Sequence, residues 1–316
     1  MRLAVIVPVH NERVGIQPFY ERARAVLSRL PGLEDWSVVF VNDGSSDGSF
    51  EELMRLHAQD PHVKVITLSR NFGYHAVLVA GLSRVDSDLY AVIDVDCEDP
   101  PELLETFYGA IQQGYGVAYG IRSNRQEPRL ITMGRKLFYR IIRQIADAEM
   151  VEWMAEFAMF TKAVRDAILA PHTTYPFLRA EIGYVGFKRI GIPYVRAKRL
   201  YGRSHYNLIR MTRFAIAGML ASSTFPLRFT LYLAGAVAVA FPLAVWLFRM
   251  SAATITVFAV VVLLYFMIVS VPLISLYLAR TYKNIVARPV FVIDEEQTFL
   301  EPAGQDASVG MVESAE

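Results

Sequence analysis

A second cysteine, a large net charge of either sign and an internal repeat are all missing from this chain. Cys97 stands alone among 316 residues, so no internal disulfide can form, and its expected role is that of a small buried apolar side chain. Thirty-two basic residues offset 31 acidic ones, leaving a formal charge of +1 and no ground for a nucleic-acid partner. The N-terminus lacks a basic stretch followed by a long apolar run. Residues 3–9 are too few for a secretory leader, so the N-terminal part is expected in the cytoplasm.

Two long stretches, residues 229–248 and 255–279, lack charge altogether. Each reaches the roughly 20 residues that cross a bilayer, and both are expected as transmembrane helices kinked at Pro242 and Pro272. A pair of buried core helices is the competing reading. Basic residues flank the pair unevenly: Arg196, Lys198, Arg199, Arg203, Arg210, Arg213 and Arg228 come before, Arg280, Lys283 and Arg288 after, and only Arg249 between. That asymmetry predicts a multi-pass protein of the cytoplasmic membrane with both termini and the N-terminal domain on the cytoplasmic side.

The division that follows is a cytoplasmic domain over residues 1–205, a juxtamembrane helix over 206–228, two spans within 229–279 and a tail over 280–316. Residues 206–224 mix Ile, Met, Phe and Leu with Arg210 and Arg213, which suits a helix on the membrane surface or one packed on the protein. The tail beyond residue 294 has six acids and no Lys or Arg, and is expected to be largely disordered.

Within the first domain, apolar strands are expected at 3–9, 36–41, 63–68, 89–93 and 117–120, with helices at 16–30, 50–57, 74–82, 101–113 and 133–146. Asp47 is expected to cap the second helix. The alternation predicts an α/β fold with a largely parallel sheet, whose ligands gather at the carboxyl ends of the strands. The polar clusters HNE, NDGSSD and DVDCED fall at those ends.

Asp94, Asp96, Glu98 and Asp99 lie within six residues of one another, and continued extended backbone would turn the first three to one side. Such carboxylates repel unless a cation joins them, and oxygen ligands suit Mg²⁺ or Mn²⁺. A solvated acidic loop is the alternative. Glu12 and Asp43 end two other strands and can accept from a nucleobase or ribose, while Arg122 and Arg135 can meet diphosphate oxygens.

The order VIVPVHNE, VNDGSSDGS, RNFGYHA, DVDCEDPPELL and then two apolar spans resembles the family-2 glycosyltransferases, and among them the polyprenyl-phosphate and dolichyl-phosphate sugar synthases, of which the bactoprenol glycosyltransferases are one kind. The likeness runs from residue 3 to residue 293. It implies a nucleotide-diphospho-sugar transferase (GT-A-like) domain that moves a sugar, with inversion, from a UDP- or GDP-linked donor to a polyprenyl phosphate. Under that resemblance Pro8, His10, Glu12, Val41 and Asp43 border the nucleoside, Asp94 holds the nucleotide and shares in binding the metal, and Asp96 and Glu98 ligate the metal. Arg122, Arg135 and Arg199 meet phosphates.

Asp96, Glu156, Arg203 and His205 are the residues implied for catalysis. Two of these positions, and Ala158 beside them, depart from the family pattern. Glu156 stands in MAEFAMF where relatives have an Asp, Ala158 replaces an Arg, and His205 in RAKRLYGRSHYN replaces a Lys. Transfer to another lipid or glycan, and a catalytically weak nucleotide-sugar or lipid-binding protein, remain the competing functions. Association into a homo-oligomer is also open.

Overall fold

The computed structural model describes residues 1–123, 154–171, 176–197 and 223–301. The first part alternates β1 (Arg2–Val9), α1 (Arg13–Leu27), β2 (Asp35–Asn42), α2 (Ser49–Gln59), β3 (Val63–Thr67), α3 (Tyr74–Arg84), β4 (Leu89–Val92), α4 (Leu103–Gln112) and β5 (Val117–Arg122). Then come β6 (Met154–Thr161), α5 (Lys162–Leu169), α6 (Leu178–Tyr184) and β7 (Arg189–Tyr194).

One seven-stranded sheet has the order β3-β2-β1-β4-β6-β5-β7. Strands β1 to β4 pair in parallel, as the alternation predicts, but β6 lies between β4 and β5 and runs antiparallel to both. The sheet is therefore mixed. The sequence conceals β6 because a central strand buried on both faces shows an apolar run and no period, and here seven of its eight residues are buried.

Both faces of the sheet are covered. Val5, Val7, Phe40 and Phe157 pack with Phe19 of α1, Leu53 of α2 and Phe107 of α4. Ile6, Val41, Tyr90 and Phe160 pack with Leu78 of α3, Val164 of α5 and Ile182 of α6. The antiparallel placement of β6 brings its first residues to the same edge as the carboxyl ends of the other six strands, so one rim collects loops from the whole sheet.

Helices α7 (Phe225–Phe248, 24 residues) and α8 (Ala252–Val286, 35 residues) are each long and apolar enough to cross a membrane. The shorter spans about 36 Å at 1.5 Å per residue. The core-helix reading fails here, because Trp246 is 74% exposed and Ile268 70%. An exposed apolar surface of this extent marks a membrane or protein interaction face. Phe241 and Phe258 stack across the pair at 5.4 Å, Ser251 caps α8 through the Thr254 N–H, and the Tyr277 hydroxyl donates to Ser223 O at 2.7 Å.

Past α8 the chain returns to the sheet, so residues 295–301 of the tail expected to be largely disordered are ordered. Ser69 N–H donates to Val292 O at 2.9 Å, Asp294 N–H to Thr67 O at 2.8 Å, and Val65 and Phe299 exchange backbone bonds of 2.8 and 2.7 Å. These contacts give the unpaired edge of β3 its partners, and this backbone pairing outweighs the acidic composition as far as residue 301. Residues 302–316, the helix expected at 133–146 and residues 206–222 of the juxtamembrane helix expected over 206–228 lie outside the described residues, and 225–228 of the latter belong to α7.

Candidate active site

The rim begins with the loops after β1 and β2, which hold each other. Asn11 N–H donates to Ser45 Oγ at 3.1 Å and Ser46 N–H returns to Asn11 Oδ1 at 2.8 Å. Asp47, expected to cap one helix, serves two. Its Oδ2 accepts from Arg13 N–H at the start of α1, and its Oδ1 accepts from Ser49 N–H at the start of α2, while Gly48 occupies the cap position itself. Burial alone would raise the Asp47 carboxyl, but the hydrogen bonds from Ser49 and Arg13 outweigh it and hold it below the ordinary value.

Gly44 has φ +60°, and a Cβ there would lie 2.7 Å from the Arg70 carbonyl carbon, so glycine lets the β2 loop touch the β3 loop. Asp43 completes that junction. It is 4% exposed and its two oxygens accept from Phe72 N–H at 2.7 Å and Gly73 N–H at 2.9 Å, while its carbonyl meets His10 Nδ1 at 2.9 Å. Asn71 Nδ2 lies 3.1 Å from His10 Nε2, bringing the two loops to one imidazole. Pro8 and Glu12 are half-buried beside them. Val41 is wholly buried with its side chain in the core under α3, which leaves its backbone at the end of β2 to border a nucleoside.

The acidic cluster is not extended. β4 ends at Val92, the chain turns, and Cys97 takes φ +57°, so Asp94, Asp96 and Glu98 do not share one side by strand alternation. Cys97 itself is buried, as expected of a small apolar side chain. Asp96 Oδ1 accepts from Glu98 N–H at 3.0 Å, closing the turn.

The acids then meet guanidinium and hydroxyl partners, one of which, Arg196, is shared, its Nε lying 3.8 Å from Asp99 Oδ1 as well as beside Glu98. Asp99, 1% exposed, pairs with Arg122 at 2.9 Å and accepts from the Tyr194 hydroxyl. Glu98 pairs with Arg196. Asp94 accepts from the Tyr74 hydroxyl at 2.9 Å, and its carboxyl is pushed up to about 7 by burial and by the charges of Asp96 and Asp99, against the opposing effects of Tyr74 and Arg122. Burial would lower the Arg122 guanidinium, but Asp99 and Tyr194 hold it firmly protonated.

The expected phosphate-binding Arg122 is thus committed to Asp99, and the expected metal ligand Glu98 to Arg196. Among the described residues no three His, Cys, Asp or Glu side chains converge as a metal cage. Asp94 and Asp96 nonetheless suit a hard divalent cation, whose charge would relieve the repulsion that raises Asp94 and whose remaining ligands would be phosphate and water.

Across the rim, Glu156 near the start of β6 is 7% exposed and lies 2.7 Å from Arg179 Nε of α6. Arg135, Arg199, Arg203 and His205 lie outside the described residues. Sequence reasoning passed over Asn71, Tyr74, Arg179 and Tyr194. Asn71 and Tyr74 carried a signal, their place in RNFGYHA at the head of a predicted helix; Arg179 and Tyr194 carried none.

Residues 4–170 match the sequence model described as glycosyl transferase family 2. The chain is 29% identical over 305 residues to the uncharacterized glycosyltransferase YkcC of Bacillus subtilis (strain 168), covering 93% of this chain and 94% of that one. It is 32% identical over 249 residues to a prophage bactoprenol glucosyl transferase homolog of Escherichia coli (strain K12), covering 78% and 81%. Among solved structures, glucosyl-3-phosphoglycerate synthase from Mycobacterium tuberculosis, in complex with Mn²⁺, UDP and phosphoglyceric acid, superposes with a TM-score of 0.51 at 16% identity, over 70% of this chain and 78% of that one. Mannosyl-3-phosphoglycerate synthase from Rubrobacter xylanophilus gives 0.50 at 15% identity, over 70% and 73%. Both share the fold.

Proposed function

Because the chain belongs to glycosyl transferase family 2 and is a glycosyltransferase with a nucleotide-sugar donor, we propose that its acceptor is a polyprenyl phosphate and that transfer inverts the anomeric centre. One observation carries the proposal. A rim of buried acids and guanidinium groups occurs in the same chain as two long helices whose apolar side chains face outward. An acceptor whose phosphate sits at headgroup level and whose tail lies in hydrocarbon fits that combination. The E. coli relative's printed name, a bactoprenol glucosyl transferase homolog, supports the same acceptor class. The unequal basic flanks of α7 and α8 support a cytoplasmic catalytic domain.

In this reading Asp94 and Asp96 hold a divalent cation, and His10 with Asn71 borders the nucleoside. Arg122, fixed by Asp99 and Tyr194, lends positive charge to the acidic end of the rim. A bound Mg²⁺ or Mn²⁺ would supply charge stabilisation for the departing nucleoside diphosphate. The lipid phosphate is already anionic near neutral pH, so no strong general base is required, and Glu156 serves by orienting the sugar.

The test incubates the full-length protein in lipid with undecaprenyl phosphate, Mn²⁺ and single nucleotide-sugars, and reads products by mass spectrometry. A metal-dependent lipid-phosphate monosaccharide that disappears in Asp96→Ala supports the proposal. A glycolipid formed only on diacylglycerol, or transfer only to a glycan, replaces the acceptor. Nucleotide binding without turnover of any donor rejects transfer.

A further inference from the structure

Glu156 sits at the rim with no exposed face to solvate its charge. It is 7% exposed, and the side chain two positions on along the same face of β6 is Ala158, wholly buried and without a polar atom. The strand itself therefore brings no cation to Glu156. A carboxylate this deep needs a partner to remain ionised.

The partner arrives from α6. Phe177, just before that helix, is buried with its ring 4.9 Å from the His75 ring of α3, while Leu178 and Ile182 enter the core beside Val77 and Leu78. This docking delivers Arg179, whose Nε reaches 2.7 Å from Glu156 Oε1. The approach lies off the hydrogen-bond axis, so among the described residues both Glu156 oxygens retain acceptor capacity. An ion pair that fixes a carboxylate without filling its lone pairs suits a group that must accept from substrate hydroxyls.

We propose that Arg179 is a positioning residue that fixes the Glu156 carboxylate and keeps it aimed at the rim, where Glu156 accepts hydroxyls of the sugar being transferred. The inference rests on the glycosyltransferase reading and goes beyond it by naming which residue makes Glu156 competent. Tyr74 and His75 of α3 also face the pair, together with Asp94 through Tyr74.

Calorimetry on the full-length protein with Mn²⁺ tests it, using UDP-glucose against UDP, or GDP-mannose against GDP where the wild-type protein binds that donor. The quantity read is the preference for the sugar-bearing form, which a purely structural role would not move. Arg179→Met is expected to lower that preference about tenfold while nucleoside-diphosphate affinity stays within about twofold, and Arg179→Lys is expected to recover part of it.

In a Glu156→Gln background the Arg179→Met change should add less than about threefold, because the arginine acts through the carboxylate. The double variant also guards against misfolding, since it leaves no orphan charge. Additive losses, or equal losses for both ligands, overturn the inference while leaving the glycosyltransferase reading intact. Binding of neither nucleotide-sugar by the wild-type protein overturns both.

Discussion

The two halves of the rim are built on different principles. On the β1–β2–β3 side, polar side chains are satisfied by backbone N–H groups: Asp43 by Phe72 and Gly73, Asp47 by Arg13 and Ser49, Asn11 by Ser46. On the β4–β6–β5–β7 side, charges answer charges: Asp99 meets Arg122, Glu98 meets Arg196 and Glu156 meets Arg179. The first half is a preformed cradle whose stability comes from its own loops. The second carries buried charge that responds strongly to what binds, because an uncompensated charge there has no water to turn to.

The sharpest way to break this contrast is to orphan one charge. Arg122→Met takes from Asp99, 1% exposed, the nearer of its two guanidinium groups and leaves Arg196 at 3.8 Å, and is expected to cost about 3 kcal/mol in urea unfolding. Adding Asp99→Asn should recover much of that loss, because the pair then disappears as a unit. A small loss in the single variant would show that water reaches this end of the rim.

Opposite pH dependences offer a second separation. The Asp47 carboxyl lies below its ordinary value, so its stabilisation is fully present above that value and disappears as pH falls through the folded-state pKa. Asp47→Asn should therefore be destabilised at pH 7 and converge with the wild type in acid. Asp94 is pushed up to about 7, so folding holds its proton where the unfolded chain releases it, and stability falls as pH rises from the ordinary 3.8 to about 7.

Asp94→Asn should accordingly be more stable than the wild type at pH 8, by about 2–4 kcal/mol, with the gain gone near pH 4. Mn²⁺ should narrow that difference at pH 8 by stabilising the wild type. Melting curves across pH with and without Mn²⁺ check both signs. A carboxyl at Asp94 that titrates near its ordinary value would remove the distinction between the halves.

Disrupting the cradle should cost less than orphaning Arg122's partner. Asp43→Ala removes the acceptor for two buried N–H groups at the head of α3 and is expected to cost about 2 kcal/mol, with a matching loss of nucleoside-diphosphate affinity because Asn71 and His10 lose their register. Unchanged nucleotide affinity would show that these loops do not meet the nucleotide.

This difference in construction also decides what the sequence discloses. The turns of the cradle are legible because they are local, NDGSSDGS announcing one and Asp47 acting within two residues of Ser49, whereas its bonds between loops, such as Asp43 to Phe72 across 29 residues, are not. The parallel strands β1 to β4 are legible for the same reason, each being a short apolar run punctuated by turn chemistry. β6 is not, since its course depends on residues that cover it from both sides.

The charge pairs are equally hidden. Asp99 finds Arg122 at a separation of 23 residues and Tyr194 at 95, and no spacing rule links such positions. Arg122 therefore reads as a phosphate ligand when its nearest described partner is an acid. The return of the chain to β3 is concealed by the acidic composition of residues 294–301, because backbone pairing to a sheet edge leaves no compositional trace.

The smallest expected effect bears on the finest distinction, whether Glu98 belongs to the cation or to Arg196. Read from DVDCED alone, Glu98 is a third metal ligand. In the folded chain its carboxylate meets Arg196, whose side chain is 37% exposed, so the pair is worth about 1 kcal/mol or less. Glu98→Gln should therefore change stability by no more than that and leave Mn²⁺ affinity, measured in the presence of UDP, within about twofold. Loss of a true ligand would weaken Mn²⁺ at least about tenfold. The first outcome leaves Asp94 and Asp96 as the acids available to a cation; the second means that Arg196 releases Glu98 when metal and nucleotide enter, and the charged half of the rim rearranges where the cradle does not.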